Sequence, residues 1–410
     1  MTQTSTSPAS PSLLSLAGLP YFVIAFIARL PFAMMVVGVL TVVVSARGSL
    51  SLGGLTSAAV GLGTAIIGPL LGAAADRFGQ RPVLTGLAVL NAALLALFVF
   101  VVYSDAGESL LLLSAFAVGA TAPQVAPMSR SRLVTLIDDR MPAERRPKTT
   151  SATMSYESAA DEMVFVLGPF LVGILASLIA PWAPLALASG LILVFVGAFA
   201  LHPTGRHVSA ARHADGSAPS KVSELFRPAL LVVVLGIFGV GLFFGATLTS
   251  LTSFMADRGD AEAAGLLYGV MGIGSALLAL GVAWLPPRFS LRARWIAFSS
   301  ILVLGAILVV FTRSEGMMIL ALAVLGVGVG PTLVTLYSFG AARSPLGRSA
   351  TVMTMLGSGI VVGQALASAV TGEIAEGVGT NAALWMPLAA ALLVFAAGIA
   401  NRFLTPTPRW

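Results

Sequence analysis

PVLTGLAVLNAALLALFVFVVY, residues 82–103, carries no charge over 22 positions and a single amide, Asn91. A helix needs roughly 20 mostly apolar residues to cross the hydrocarbon core of a bilayer. Nothing in that core can partner an unpaired backbone group, so a spanning chain must be helical or closed into a barrel. The run is continuous Leu, Val, Ala and Phe with no alternation of polar and apolar positions, which selects the helix. Working outward, eleven further runs read the same way: 18–45, 52–74, 109–134, 152–180, 182–202, 228–254, 264–285, 295–312, 316–340, 349–372 and 381–404. The chain of 410 residues is 57% hydrophobic and 10% charged, which excludes a soluble globule. The expected fold class is an all-α membrane protein with twelve transmembrane helices.

The charges orient it. Of the 23 Lys and Arg, nineteen fall in alternate loops, Arg77, Arg81, Arg130 and Arg132 among them. The opposite loops hold only Arg47, Arg258 and Arg313, and Arg29 lies inside the first run. Basic loops stay in the cytoplasm, so both termini are expected there, in a multi-pass protein of the cell membrane. A net charge of +6 spread over separate loops does not make a nucleic-acid surface. Residues 1–17, opening MTQTSTSPASPS, read as a disordered cytoplasmic tail with no signal-peptide pattern. With no cysteine there is no disulfide or thiolate metal site. His202, His207 and His213 lack metal-ligand spacing, and no nucleophile–base pair stands out. No metal, no cofactor and no enzymatic activity are expected.

Residues 203–227 are the longest polar interruption and read as a cytoplasmic linker. They separate a bundle of six helices, 18–202, from a second, 228–410. The halves repeat one another. Arg47-Gly48 returns 211 residues later as Arg258-Gly259, and the same offset carries Gly61-Leu62-Gly63-Thr64-Ala65 onto Gly272-Ile273-Gly274-Ser275-Ala276. It also carries Gly119-Ala120-Thr121 onto Gly330-Pro331-Thr332. Two pseudo-symmetric six-helix bundles follow.

After the second run comes Gly72-Ala73-Ala74-Ala75-Asp76-Arg77-Phe78-Gly79-Gln80-Arg81. This loop resembles the signature loop of the major facilitator superfamily, whose two-bundle layout the handling of substrate near the membrane midplane also fits. Gly168-Pro169 followed by Gly173 is similar to the antiporter motif of that superfamily's drug and metabolite exporters, with Ile174 in place of the usual last glycine. The resemblance covers about 18–404. It implies that Asp76 faces the N-terminus of the eleventh helix, near Arg348, and that Arg77 pairs with Asp138 or Asp139. Those contacts would close the cytoplasmic side. It further implies that the Gly168 face packs on the eighth helix, where Gly269, Gly272 and Gly274 leave room. The second half has lost the acid and glycine of the loop (Arg288-Phe289-Ser290), so the latch is one-sided.

Arg29 lies about 15 Å into the first run at 1.5 Å per residue, with Asp161 and Glu162 at similar depth in the fifth. Charges buried in a bilayer face the bundle interior and pair. First and fifth helices are neighbours in the superfamily, so Arg29 is expected to pair with Asp161 or Glu162. Adjacent residues point about 100° apart, which leaves the second acid free to exchange a proton as water access alternates. These three residues are the candidates for proton coupling. The arginine that many drug–proton antiporters carry upstream of a glycine equivalent to Gly119 is missing from Leu113–Val118.

Candidates for the substrate cavity are Met34, Met35, Gln124, Phe243, Phe244, Thr247, Tyr268, Tyr337, Met353 and Gln364. With three Asn and few amides in the runs, sugars are disfavoured, while Met and Phe suit varied amphiphiles. The expectation is a monomeric transporter exporting amphiphilic drugs or metabolites against inward proton flow. The alternative is a facilitator or importer of a small organic anion with Arg29 as carboxylate partner.

Overall fold

Among the described residues, twelve helices long and apolar enough to span a bilayer run Leu19–Arg47, Leu52–Phe78, Gln80–Tyr103, Glu108–Arg140, Arg146–Leu178, Ala183–Leu201, Pro228–Ala256, Ala264–Trp284, Leu291–Val310, Glu315–Arg343, Ser349–Gly377 and Thr380–Leu404. The computed structural model describes residues 12–205, 220–260, 263–286 and 288–404. The tail up to residue 11 and most of the linker, with His207 and His213, lie outside the described residues. Residues 12–17 depart from the expected disordered tail. Leu13–Ala17 is a short helix capped by Ser12, whose hydroxyl accepts from the Ser15 N–H at 3.1 Å. Ala17 is buried and Leu13 and Leu16 pack on the core of the first half, which is why the segment is ordered.

Two helices of the first half are broken where the sequence reading runs them through. The first divides into Leu19–Ile27 and Leu30–Arg47. Pro31 has no N–H to give and its ring excludes the carbonyl four residues back. The turn closes instead through the N–H of Arg29 to the Phe26 carbonyl at 3.2 Å. The fourth divides into Glu108–Ala120 and Val125–Arg140 around Pro123. Proline also drives the residue before it out of the helical region. The corresponding helices of the second half, the seventh and tenth, are continuous. Beyond the break the fourth helix carries on past the expected end at 134, so Arg130 and Arg132, counted above with the loop charges, are buried within it.

Gly119 and its repeat counterpart Gly330 are crossing points, each with a further glycine beside it. At Gly119 a Cβ would stand 1.9 Å from the Val60 carbonyl oxygen, and at Gly63 it would stand 2.3 Å from the Phe116 carbonyl. Second and fourth helices thus touch backbone to backbone, the close approach that only small residues permit. In the other half Gly330 meets the Ser275 carbonyl and Gly326 the Met271 carbonyl, joining eighth and tenth helices the same way. Replacing Gly119 by alanine is expected to lower stability by about 1–3 kcal/mol, as overpacking does. Gly173→Ala, with nothing within 4 Å of the added carbon, is the neutral control. Thermal unfolding in detergent checks both, and equal midpoints would refute the close crossing.

The halves meet along the second and eleventh helices, where Gly72 lies against Thr354, Gly68 against Ser358 and Gly61 against Val361. The fifth helix packs against the eighth and tenth. At the end bearing the basic loops, Arg294 Nη1 donates to Ser151 Oγ at 3.1 Å.

Candidate functional site

The break in the first helix delivers Arg29 to the fifth helix. Its Nη2 donates to Glu157 Oε2, and its Nη1 lies 3.3 Å from Asp161 Oδ1. Glu157 and Asp161 are four residues apart and so share one helix face. From the fourth helix, Arg130 Nη2 donates to Asp161 Oδ2 at 2.6 Å. Ser129 Oγ donates to Glu157 Oε1 at 2.9 Å and meets the Tyr21 hydroxyl at 2.8 Å. Two cations and two acids are thereby closed into one formally neutral cluster, the arrangement that makes buried charge tolerable. Exposure distinguishes its members. The side chains of Arg29, Glu157 and Arg130 are 3%, 0% and 2% exposed, whereas Asp161 is 22% exposed. The far side of the Arg130 guanidinium lies over the ring of Tyr337, 3.9 Å from its centroid, on the tenth helix of the other half.

Glu162 does not join Arg29. One residue on from Asp161, it points around the helix to the eighth, where the Ser275 hydroxyl donates to its Oε1. Ser275 is the repeat counterpart of Thr64, whose hydroxyl caps the Gly119 carbonyl at 3.0 Å. Of the cluster, the sequence reading misses Glu157 and Arg130. The four-residue spacing of Glu157 and Asp161 is the signal that finds the first. Arg132, also buried, is held by neutral groups: Nε donates to Gln80 Oε1 at 3.0 Å and Nη1 to the Phe199 carbonyl at 2.8 Å.

In the loop after the second helix, Gly79 takes φ +93°, a conformation that favours glycine, and its N–H closes on the Ala75 carbonyl at 2.9 Å. Asp76 stands at the start of the eleventh helix. It accepts from the Ala350 N–H at 3.2 Å, the Thr351 N–H at 2.7 Å and the Thr351 hydroxyl at 2.6 Å. Gly72 is obligatory behind it, since a Cβ would lie 2.1 Å from Thr354 Oγ1. Arg77 does not reach Asp138 or Asp139. Its guanidinium folds over the neighbouring Phe78 ring at 5.3 Å, and all three charges are exposed at the surface, where water competes for them. Arg81 sits half-buried in the first turn of the third helix. Gly168 also differs from expectation. It faces the first helix, its Cβ position 2.6 Å from Ala33 Cβ, and Gly173, Gly269 and Gly272 have open space beside them. Pro169 stays inside a continuous fifth helix.

A family model described as the Major Facilitator Superfamily matches residues 21–358. The chain belongs to that superfamily. No curated protein matches it. Among solved structures, that of the human organic anion transporter MFSD10 (TETRAN) gives a TM-score of 0.70 at 20% identity, over 95% of this chain and 100% of that one. A bacterial homologue of the iron transporter ferroportin, in its outward-facing state, gives 0.76 at 14% identity, over 96% and 100%. The E. coli fucose:proton symporter FucP gives 0.66 at 17%, over 94% and 100%. At such identities the likeness is one of fold.

For this major facilitator transporter the cavity candidates divide. Met34, Met35, Phe243 and Met353 are at most 1% exposed and belong to the apolar cores, and the core that holds Phe243 and Met353 also takes in Val134 and Met154 of the first half. The Thr247 hydroxyl is spent on the Phe243 carbonyl at 2.7 Å. Gln124 stands at the start of the restarted fourth helix without a side-chain cap bond, and its Oε1 lies 3.9 Å from the Cβ position of Gly68 at the junction of the halves. Phe244 and Tyr268 are half-buried, Gln364 is exposed and Tyr337 lies under Arg130.

Proposed function

We propose that this transporter is a proton-coupled exporter of amphiphilic drugs or metabolites, working by rocking of residues 18–202 against 228–410. The basic loops and both termini face the cytoplasm in this reading, in the cell membrane. The observation that carries it is Glu162: a carboxyl in the middle of the fifth helix, bonded across the junction of the halves to Ser275, with no cation beside it among the described residues. Asp161 and Glu157 are each bound to arginine. Glu162 is therefore the acid whose proton is free to come and go as the junction opens to one side and then the other. As the acid it shares a hydrogen bond with the serine; as the carboxylate it accepts one and gains a charge that favours the hydrated state of the junction. An anion carrier built on Arg29 is less well supported, because that guanidinium is 3% exposed and already engages two carboxylates.

The test uses proteoliposomes and a panel of fluorescent amphiphiles of positive, neutral and negative charge. An imposed pH gradient is expected to drive uptake of at least one of them by the wild type. Glu162→Gln is expected to abolish gradient-driven uptake and to spare exchange of labelled for unlabelled compound. Uptake by Glu162→Gln that still follows the gradient would remove Glu162 from the coupling scheme.

A further inference from the structure

Within the charge cluster, one residue occupies two places at once. Arg130, from the first half, gives an N–H to Asp161 at 2.6 Å and lays its guanidinium over Tyr337 of the second half at 3.9 Å. Its Nε has no hydrogen-bond partner among the described residues. A carboxylate beside an aromatic face is the pair of surfaces that an organic cation takes, through charge on one side and the ring quadrupole on the other. Entry to the cluster is through the acid. Asp161 is 22% exposed and Tyr337 4%, while the guanidiniums of Arg29 and Arg130 sit on side chains 3% and 2% exposed. A ligand arriving at the exposed edge of the cluster meets the Asp161 carboxylate first, since the guanidiniums of Arg29 and Arg130 are covered.

We propose that Asp161 and the face of Tyr337 form the seat of an organic cation, and that Arg130 fills this seat while substrate is absent. The inference rests on the exporter reading and narrows its amphiphiles to cations that carry apolar or aromatic groups. Arg130 leaves the ring when substrate arrives. The move gives up the Nη2 bond to Asp161, which the substrate cation takes over, and Glu157, one turn back on the same face of the fifth helix and already bound to Arg29 and Ser129, is a second carboxylate near which the displaced charge can settle. Since Tyr337 belongs to the opposite half, exchanging Arg130 for a substrate cation alters a contact between the two rocking units. Substrate occupancy is thereby linked to their relative position.

Two probes of one shape and opposite charge, tetraphenylphosphonium and tetraphenylborate, test it by equilibrium dialysis against the purified full chain in detergent, with no gradient. The wild type is expected to bind the phosphonium saturably and the borate only as empty micelles do. Arg130→Met removes the resident cation and is expected to tighten phosphonium binding about tenfold. Asp161→Asn and Tyr337→Leu are expected to weaken it about tenfold or more, and Tyr337→Phe, which keeps the ring face, to retain it. Tyr337→Leu and Tyr337→Phe change no charge, so that pair carries the test if Arg130→Met does not fold. Saturable borate binding that Arg130→Met abolishes would overturn the proposal in favour of an anion site. Phosphonium binding indifferent to both Arg130→Met and Tyr337→Leu, or absent from the wild type, would overturn it as well. Binding with intact dependence on Tyr337 and no gradient-driven uptake counts against Glu162 coupling alone, so the two readings fail separately.

Discussion

Arg29→Met is expected to cost the fold about 3–5 kcal/mol, the loss seen when one partner of a buried ion pair is removed, and to leave little monodisperse protein in detergent. The size follows from what remains. Glu157 is fully buried, and its other hydrogen bond comes from a neutral hydroxyl, Ser129 at 2.9 Å. Asp161 keeps Arg130, but the two acids would then share one cation. A carboxylate left in a bilayer core without a partner is among the costliest single groups a membrane helix can carry. The double variant Arg29→Met with Glu157→Gln removes charge of both signs, and is expected to recover most of the loss because the desolvation of both ions disappears along with their attraction. Thermal midpoints of the two single variants and the double measure the coupling. A single Arg29→Met variant as stable as the wild type would mean that the pair contributes nothing to the fold.

The extent to which the sequence foretells this arrangement depends on the solvent that each residue meets. Lipid accepts no unpaired backbone, so each of the twelve apolar runs falls on one of the twelve helices found among the described residues, and of the glycines shared at an offset of 211 residues Gly119 and Gly330 are helix crossings in both halves. Asp76 was also legible, because its loop resembles one whose geometry is fixed by a tight turn and a helix terminus. The partners of Arg29 were less so. Depth alone does not separate Glu157, Asp161 and Glu162, and only the four-residue spacing says which two share a face. Counting every loop-proximal arginine as a topology signal hides Arg130 and Arg132, since helices continue inward past the end of their apolar run when other helices cover them. The cavity was least legible. Met and Phe are equally at home against lipid, in a core or around a ligand, so composition does not reveal that Met34, Met35, Phe243 and Met353 are buried.

Asp76→Ala is expected to move the transporter out of the state in which its basic ends are closed. Asp76 is 8% exposed and takes the Ala350 and Thr351 N–H groups and the Thr351 hydroxyl. Hydrogen bonds to a charged group contribute about 1.5–3 kcal/mol each, and a carboxylate at a helix N-terminus adds about 0.3–1 kcal/mol. All of these bonds cross from the second helix of one half to the eleventh of the other, so they weigh on the balance between states and little on the fold of either bundle. Since each 1.4 kcal/mol is about tenfold in a population, losing even part of this contact moves the balance by about a hundredfold. Asp76→Asn keeps an oxygen for one donor and turns an amide N–H toward another, so it is expected to fall between wild type and alanine. The chain has no cysteine, so spin labels at Lys148→Cys and Arg288→Cys, both exposed at the basic end, report the separation of the halves there without background. The distance distribution is expected to shift to longer values in Asp76→Ala, with net transport reduced and thermal stability nearly unchanged. Distributions that overlay the wild type would show that the halves are held together at that end by other contacts, the Ser151–Arg294 hydrogen bond among them.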